Sequence, residues 1–259
     1  MESEGYENGV PSWVDLGSPD LAKSKEFYGA LFGWNCPEGP AEAGGYTVCD
    51  LGGKTVAGLG PQMNPDAPPN WLTYVNVDSA DDTVAKVAAN GGTVFMEPMD
   101  ILEAGRMAVF ADSLGAVIGL WQPNQHLGAQ VVNEPGTYCW SELISPDLDA
   151  SKAFYRAVFG WGAEDLGPEG GPVAYTEWKL GGNSIGGMLP KQDTMPADMP
   201  PYWGVYFTVA DADASVARAQ ELGATLLMPP MDIDPGRFAM LSDPVGAFFN
   251  VLALKPAGA

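Results

Sequence analysis

Asp15 and Glu142 are the side chains in this sequence best suited to acid–base chemistry. Asp15 follows Trp13 by two positions, and Glu142 follows Trp140 at the same spacing. Residues two apart on a β-strand point to the same face, so each carboxyl group is expected beside its tryptophan. There it could act as a general base or pair with a ligand amine. The alternative is that both carboxylates face solvent or hydrogen-bond to a neighbouring strand.

Arg106 and Arg237 are the matching candidates for an anion-binding role. Each follows a glycine in a predicted tight turn. A guanidinium group can hold a ligand carboxylate or phenolate and stabilise a developing oxyanion. The alternative role is to anchor a loop or the contact between two parts of the protein. Asp15, Glu142, Arg106 and Arg237 are therefore catalytic candidates to which the sequence assigns no reaction.

The cysteine and histidine content gives little support for metal, disulfide or nucleophilic chemistry. Cys36, Cys49 and Cys139 form no Cys-x-x-Cys pair and have no histidine near them in sequence. We therefore expect neither a zinc site nor a disulfide framework. The single histidine, His126, is interpreted either as a proton shuttle or as a hydrogen-bonded structural residue.

The chain is strongly acidic: 33 Asp and Glu against 12 Lys and Arg give a net charge of −21 at pH 7. Phosphate binding needs clustered basic side chains, so we expect neither nucleic acid nor an anionic membrane surface as a partner. Residues 1–10 show neither the basic nor the apolar region of a signal peptide. No apolar run reaches the roughly 18 residues of a membrane span. A cytoplasmic protein is expected.

An internal repeat organises the whole chain. Residues 12–34 read SWVDLGSPDLAKSKEFYGALFGW, and residues 139–161 read CWSELISPDLDASKAFYRAVFGW. Further matches follow in the same order: Tyr46-Thr47 with Tyr175-Thr176, Trp71 and Tyr74 with Trp203 and Tyr206, and Gly105-Arg106 with Gly236-Arg237. So many matches in one order indicate two copies of one module.

Both copies have the same predicted elements. A strand ends at Ser-Pro-Asp, and Asp20 is suited to cap the following helix, which Gly33 ends. Two strands around a Gly-Gly turn, a Pro-rich loop, another strand, a second helix and two last strands complete the copy. The predicted boundaries are 9–123 for the first module, 124–136 for the linker and 137–256 for the second module.

The frame D-L-x-x-S-x-x-F-Y-x-x-[LV]-F-G-W, with a D-[PS]-x-G turn before the last strand, resembles the vicinal-oxygen-chelate superfamily of glyoxalases, bleomycin-resistance proteins and dioxygenases. Within this superfamily, the repeat layout more closely resembles two-module actinobacterial glyoxalase-like proteins, which include the mycobacterial 27 kDa antigen and proteins named as hydroxylases. This resemblance implies an α+β fold of two tandem βαβββ modules, with curved mixed sheets packed together.

The resemblance also implies four metal-ligand positions, which in this chain hold Trp13, Gly119, Trp140 and Asn250. Two indoles, a glycine and an amide cannot hold a catalytic metal, because such sites need imidazole and carboxylate ligands. We expect no metal and no cofactor. The alternative is an all-oxygen site for a hard cation at Asp15 and Glu142.

The resemblance places Trp13 and Trp140 in the concave faces of their sheets, where the family binds ligands. Aromatic walls with a few polar groups suit a flat apolar molecule. The candidate ligand-binding residues are Trp13, Trp140, Asp15, Glu142, Trp71, Tyr74, Trp203, Tyr206 and Asn250. The alternative for the aromatic residues is ordinary core packing.

These observations favour a metal-independent protein that binds a small aromatic natural product or drug, in self-resistance or as an accessory to biosynthesis. A biosynthetic enzyme is then a potential partner, and the chain is a monomer or a homodimer. The alternative is a metal-free enzyme of the same fold, a hydroxylase component, isomerase or cyclase acting on a polyketide-like substrate. A metal-dependent lyase or dioxygenase is disfavoured by the ligand positions.

Overall fold

Two mixed β-sheets, one from each half of the chain, form the framework. The computed structural model describes residues 1–168, 171 and 173–255. The first half contains β1 (Pro11–Ser18), α1 (Leu21–Phe32), a short 3-10 turn (Ala41–Ala43), β2 (Thr47–Leu51), β3 (Lys54–Pro61), β4 (Asn70–Asn76), α2 (Ala80–Ala89), β5 (Thr93–Ile101), β6 (Gly105–Ala111) and β7 (Val117–Pro123).

The second half repeats this order and adds one strand. It contains β8 (Tyr138–Ser145), α3 (Leu148–Phe159), β9 (Gly162–Leu166), β10 (Tyr175–Leu180), β11 (Asn183–Pro190), β12 (Tyr202–Thr208), α4 (Ala212–Glu221), β13 (Thr225–Ile233), β14 (Gly236–Ser242) and β15 (Phe248–Leu254). The extra strand, β9, pairs with β10 at the edge of the sheet.

Each sheet draws all its strands from its own module. The first has the order β2-β3-β1-β4-β7-β6-β5, and the second β13-β14-β15-β12-β8-β11-β10-β9. In the first sheet β1 lies parallel to β3 and β4 lies parallel to β7, while β1 and β4 run antiparallel. The second sheet repeats these relations. The prediction of two α+β modules with mixed sheets is therefore confirmed.

The capping residues predicted for the first helix have their expected roles. The Asp20 carboxylate accepts a hydrogen bond from the backbone N–H of Lys23, and Gly33 ends α1 with φ at 78°. Asp147 and Gly160 do the same for α3. A left-handed φ favours glycine, which explains why both copies keep Gly after the Phe that ends the helix.

The two modules share their cores, because each first helix packs against the other module. The ring centroid of Phe27 in α1 lies 6.0 Å from that of Phe249 in the second sheet. The ring centroid of Phe32, also in α1, lies 5.2 Å from that of Phe207. In the equivalent contact, Phe154 of α3 lies 6.1 Å from Phe110 of the first sheet. The two main apolar clusters each contain residues of both modules.

Residues 124–136 do not form a free tether. Ala129 and Val131 are buried, and the backbone N–H groups of Ala129 and Gln130 donate to the carbonyls of Ser12 and Thr55. The N-terminal arm, residues 1–9, pairs with this segment through Glu2 and Val131. Residues 129–131 are therefore packed against the first module, whereas the Gly136 N–H donates to the Thr208 carbonyl of the second.

The expectation of no disulfide is wrong, because Cys36 and Cys49 are bonded across 13 positions of chain. Asn35 and Asp50 exchange backbone hydrogen bonds, which places the adjacent pair, Cys36 and Cys49, directly opposite each other. Such pairing depends on which strands meet, and their sequence spacing does not reveal it.

No helix among the described residues is long and apolar enough to cross a membrane.

Candidate functional site

The two faces of each sheet have different roles. Val14 and Leu16 of β1 belong to the shared core, whereas Trp13 packs with Leu72 and Tyr74 in a separate cluster. We call this second side, which faces away from the intermodule core, the distal face. Because strand side chains alternate, Trp13 and Asp15 share the distal face, and so do Trp140 and Glu142.

In the second module, four side chains form a hydrogen-bonded chain on the distal face. The Trp140 Nε1–H donates to the Tyr175 hydroxyl over 2.8 Å. The Tyr206 hydroxyl donates to Glu142 Oε1 over 2.7 Å. The Tyr175 hydroxyl also hydrogen-bonds the Glu142 carboxyl group and joins the two pairs.

The first module contains the same arrangement. The Trp13 Nε1–H donates to the Tyr46 hydroxyl over 2.9 Å, and the Tyr46 hydroxyl donates to Asp15 Oδ2 over 3.1 Å. Tyr74 supplies the second tyrosine partner of Asp15. We call these two groups the first and second tyrosine–carboxyl clusters.

Strand register and two glycines position both clusters. Trp13 pairs with Tyr74 across β1 and β4, and Trp140 pairs with Tyr206 across β8 and β12. A Cβ atom at Gly58 would overlap the Tyr46 hydroxyl, and one at Gly187 would overlap the Tyr175 hydroxyl. The tyrosines reach their carboxyl groups only because these strand positions have no side chain.

Tyr46 and Tyr175 are functional candidates that were not predicted from the sequence. Their signal was present, since Tyr-Thr recurs at 46 and 175 in the repeat. The crossing of each tyrosine over a glycine of the neighbouring strand has no signal in the sequence. The other members of each cluster lie together as expected: Trp13, Asp15 and Tyr74 in the first, and Trp140, Glu142 and Tyr206 in the second.

Burial changes the proton affinity of both carboxyl groups. Burial raises the pKa of Asp15 to about 7, although its tyrosine hydrogen bonds act in the opposite direction. Burial also raises the pKa of Glu142, again against the effect of Tyr206 and Tyr175. The pKa of Tyr206 lies well above its usual range, because of burial and the neighbouring Glu142. The carboxyl group of Asp15 can therefore hold a proton near neutral pH, and the proton affinity of Glu142 is shifted in the same direction.

The two clusters differ in how they are covered. The His126 ring packs edge-to-face against Trp13, with the ring centroids 4.3 Å apart. It makes a similar contact with Trp121, with the ring centroids 5.5 Å apart. The Tyr6 hydroxyl donates to the Ala129 carbonyl and ties the N-terminal arm over the same region. Trp13 is consequently 3% exposed. We call residues 124–132 the cover.

The second cluster is more open. Trp140, Tyr175 and Tyr202 are half-buried, whereas Trp13 is buried. The repeat also aligns Leu72 with Gly204 and Trp121 with Leu252, so two large side chains that fill the first distal face are smaller in the second. A Cβ atom at Gly204 would meet Asn250 Nδ2 at 3.4 Å and Tyr202 at 3.8 Å, which places this gap beside the second cluster.

Trp71 and Trp203 lie away from the distal faces. The Trp71 Nε1–H donates to the Tyr28 hydroxyl, and the Trp203 Nε1–H donates to the Tyr155 hydroxyl, both within the shared core. Tyr28 and Tyr155 in turn donate to carboxylates of the opposite module. The structure therefore places these two tryptophans among the packing residues, and they are left out of the proposed site.

Arg106 and Arg237 are engaged in matching surface ion pairs. Arg106 contacts both carboxylate oxygens of Asp81 at the start of α2, and its third contact is Asp100. Arg237 contacts Asp213 and Asp232 in the same way. Each arginine therefore ties its strand to a helix of the same module, which is a structural role, and these contacts do not join the two modules.

The four positions at which the resemblance implies metal ligands do not fit a metal. The indole N–H groups of Trp13 and Trp140 already donate hydrogen bonds to the hydroxyls of Tyr46 and Tyr175. The Asn250 Nδ2 group donates to the Val205 carbonyl. Gly119 lies beneath the Tyr74 ring, which a Cβ atom would strike. Among the residues described, no three His, Cys, Asp or Glu side chains are grouped to hold a metal ion. The chemistry of the two clusters therefore rests on their tyrosine and carboxyl groups.

The model of the Glyoxalase/Bleomycin resistance protein/Dioxygenase superfamily matches residues 11–120 and again residues 140–251. The chain belongs to this superfamily. It is 44% identical over 259 residues to "Putative glyoxylase CFP32" of Mycobacterium tuberculosis, covering 97% of each chain. It is 39% identical over 262 residues to the anthracycline biosynthesis protein DnrV of Streptomyces peucetius, covering 95% of this chain and 94% of that protein.

Solved structures of the superfamily support the fold. The Mn(II)-bound glyoxalase from Novosphingobium aromaticivorans superposes with a TM-score of 0.66 at 18% identity, over 96% of this chain and 84% of that one. The 2,3-dioxygenase LapB from Pseudomonas sp. KL28 gives 0.65 at 14% identity, over 96% and 93%. At these identities the likeness concerns the fold alone.

Proposed function

We propose that the protein binds a flat, multi-ring aromatic compound of the anthracycline type on the distal face of its second module. The observation that carries this proposal is the contrast between two equivalent clusters, of which the first is covered and the second is open. The relatives named for anthracycline biosynthesis supply the compound class. Self-resistance, or service to a biosynthetic enzyme as partner, is the proposed context.

The second cluster has the side chains that such a compound needs. Trp140, Tyr175 and Tyr202 offer half-exposed ring surface on which a planar ring system can stack. Glu142 and Asn250 are polar groups on the same face. A protonated Glu142 can donate a hydrogen bond to a quinone or phenol oxygen, and the ionised form can accept one.

The gap at Gly204 gives the proposal a direct test. Replacing Gly204 by Leu installs the residue that occupies the equivalent position, Leu72, in the covered module. The nearest atoms to a new Cβ lie at ordinary contact distance, so the side chain should extend over the distal face without displacing backbone. We expect G204L to weaken binding of an anthracycline aglycone at least about tenfold, with an unchanged melting temperature.

A matched pair of tryptophan variants separates binding from packing. W140F should weaken the aglycone roughly tenfold, because it removes indole surface from the binding face. W13F should lower the melting temperature and leave affinity unchanged, because Trp13 packs under the cover. Affinity is measured from quenching of protein fluorescence and confirmed by calorimetry. Equal affinities for G204L, W140F and the unmodified protein would refute the proposed face.

A second candidate function is metal-free proton transfer on the same class of compound, as in an isomerase, a cyclase or a hydroxylase component. It is favoured by Glu142, whose raised pKa and two tyrosine partners suit a group that takes up and returns a proton. Prolonged incubation followed by mass spectrometry and chromatography distinguishes the two. A binder returns the aglycone unchanged, whereas an enzyme converts it and loses turnover in E142Q.

A further inference from the structure

A hollow of about 610 Å³ lies at the surface of the first module. Five separate segments meet around it: the N-terminal arm at Ser3 and Glu4, β2 at Val48, β3 at Thr55, the β5–β6 turn at 102–104, and the cover at 125–130. The volume falls within the range of about 300–1,000 Å³ that is usual for small-molecule sites. The residues of the second tyrosine–carboxyl cluster do not line it.

The β5–β6 turn at the wall of this hollow is strained. It holds Leu102, Glu103 and Ala104, where the second module has only Asp234 and Pro235. Leu102 has φ at 48°, in the left-handed region that costs a leucine about 1–2 kcal/mol. Its side chain is nonetheless 58% exposed, so burial of this leucine does not explain the strain.

The cover holds the strained turn in place. The backbone N–H of Gln125 donates to the Glu103 carbonyl at 3.2 Å, and the N–H of His126 donates to the Ala104 carbonyl at 3.0 Å. The wall of the hollow is thus fixed at two points. Leu102 together with Val48 and Leu127, which are also exposed, gives the hollow an apolar rim.

The charged groups at the hollow are all acidic. Glu4 and Glu103 line it, and no Lys or Arg does. Glu103 accepts a hydrogen bond from the neutral Gln125 amide, and no described salt bridge involves either glutamate. His126 adds no positive charge near neutral pH, because burial lowers its pKa to about 4. The nearby Lys54 is paired with Glu2.

We propose that this hollow is a separate binding site for an organic cation, that is, a protonated amine attached to a compact apolar body. Glu4 and Glu103 would pair with the ammonium group, and Leu102, Val48 and Leu127 would contact the apolar body. The net charge of −21 raises the local concentration of such a cation around the protein. This site is independent of the aromatic face proposed for the second module.

Adamantane derivatives test the proposal, because their rounded cage has no flat surface to stack on the second module. The probes are 1-aminoadamantane, which is cationic, 1-adamantanol, which is neutral, and adamantane-1-carboxylate, which is anionic. Titration calorimetry on the full chain at low salt should show saturable binding of the amine, at least about tenfold tighter than that of the alcohol. The carboxylate should not bind, and added salt should weaken the amine.

Variants locate the binding. E4Q/E103Q should weaken the amine at least about tenfold, while the control E26Q/E97Q, which removes two exposed charges elsewhere, should change affinity less than about threefold. L102G should weaken both amine and alcohol without lowering the melting temperature, because glycine relieves the left-handed strain. The proposal is overturned if the amine shows no saturation up to roughly 10 mM. Equal binding of amine and alcohol, or equal effects of the two double variants, would also overturn it.

Discussion

Removing one hydroxyl group, in Tyr28→Phe, tests whether the two modules are held together as a single cooperative unit. The Tyr28 hydroxyl donates to Asp243 Oδ2 of the other module at 2.9 Å and accepts from Trp71 Nε1 at 2.9 Å. Tyr28 is fully buried, so phenylalanine leaves an unpaired carboxylate oxygen and an unpaired indole N–H inside the core. Each unmet buried group costs about 1–3 kcal/mol; taking about 1.5 kcal/mol for each gives about 3 kcal/mol for the pair.

The assays are equilibrium urea unfolding and thermal unfolding, each followed by tryptophan fluorescence and by far-ultraviolet circular dichroism. The melting temperature should fall by roughly 6–12 °C, since 1 kcal/mol corresponds to about 2–4 °C for a chain of this size. Tyr155→Phe should have a similar effect, because its hydroxyl makes the equivalent contacts with Asp112 and Trp203. Tyr202→Phe is the control, since Tyr202 is only half-buried, and it should cost less than about 0.5 kcal/mol.

The shape of the unfolding curve decides the reasoning. Because both apolar clusters contain residues of both modules, the unmodified protein and both variants should unfold in one transition that both probes report alike. A loss of stability below about 0.5 kcal/mol in Y28F would refute the expected cost of its lost hydrogen bonds. Two resolved transitions in the unmodified protein would refute the shared core.

Three further variants test other features. The raised pKa of Asp15, about 7, means that the folded state holds this proton more tightly than the unfolded state. The resulting stabilisation is complete below about pH 4 and is lost as the pH rises towards 7, by at most about 1.4 kcal/mol per pH unit. D15N should flatten that part of the curve of unfolding free energy against pH. C36S/C49S should lower stability by about 3 kcal/mol because it opens a short covalent loop, and dithiothreitol should then have no additional effect on the variant. G119A should destabilise by about 1–3 kcal/mol because its methyl group strikes the Tyr74 ring, and an unchanged urea midpoint would contradict that contact.

The elements and the duplication could be predicted from sequence because they depend on local signals. Asp20 and Gly33 are read correctly as the two ends of α1, since capping and a left-handed C-terminus are properties of single positions. The same logic places Trp13 beside Asp15, because alternation along one strand needs no knowledge of its neighbours.

Contacts between strands and between modules could not be predicted in this way. Trp71 and Tyr74 are three positions apart on one strand and therefore face opposite sides, but periodicity alone does not say which side is the ligand face. The disulfide escaped detection for the same reason, because the pairing of Cys36 with Cys49 is set by strand register. The cover could not be foreseen because it belongs to the segment 124–136, whose Asn, Gly and Pro residues are typical of a linker.

Under the proposed function, the duplicated clusters would separate stability from binding. Two modules that bury their helices in each other need two sheets, and each sheet carries a Trp–Tyr–carboxyl group at the same register. In the first module, Leu72, Trp121 and the cover close that group, so its aromatic surface stabilises the fold. In the second, Gly204 leaves the group accessible. Substitutions in the first cluster should therefore change the free energy of unfolding, whereas equivalent substitutions in the second cluster should change the affinity for the aromatic compound. Replacing Gly204 by Leu should make the second cluster behave like the first.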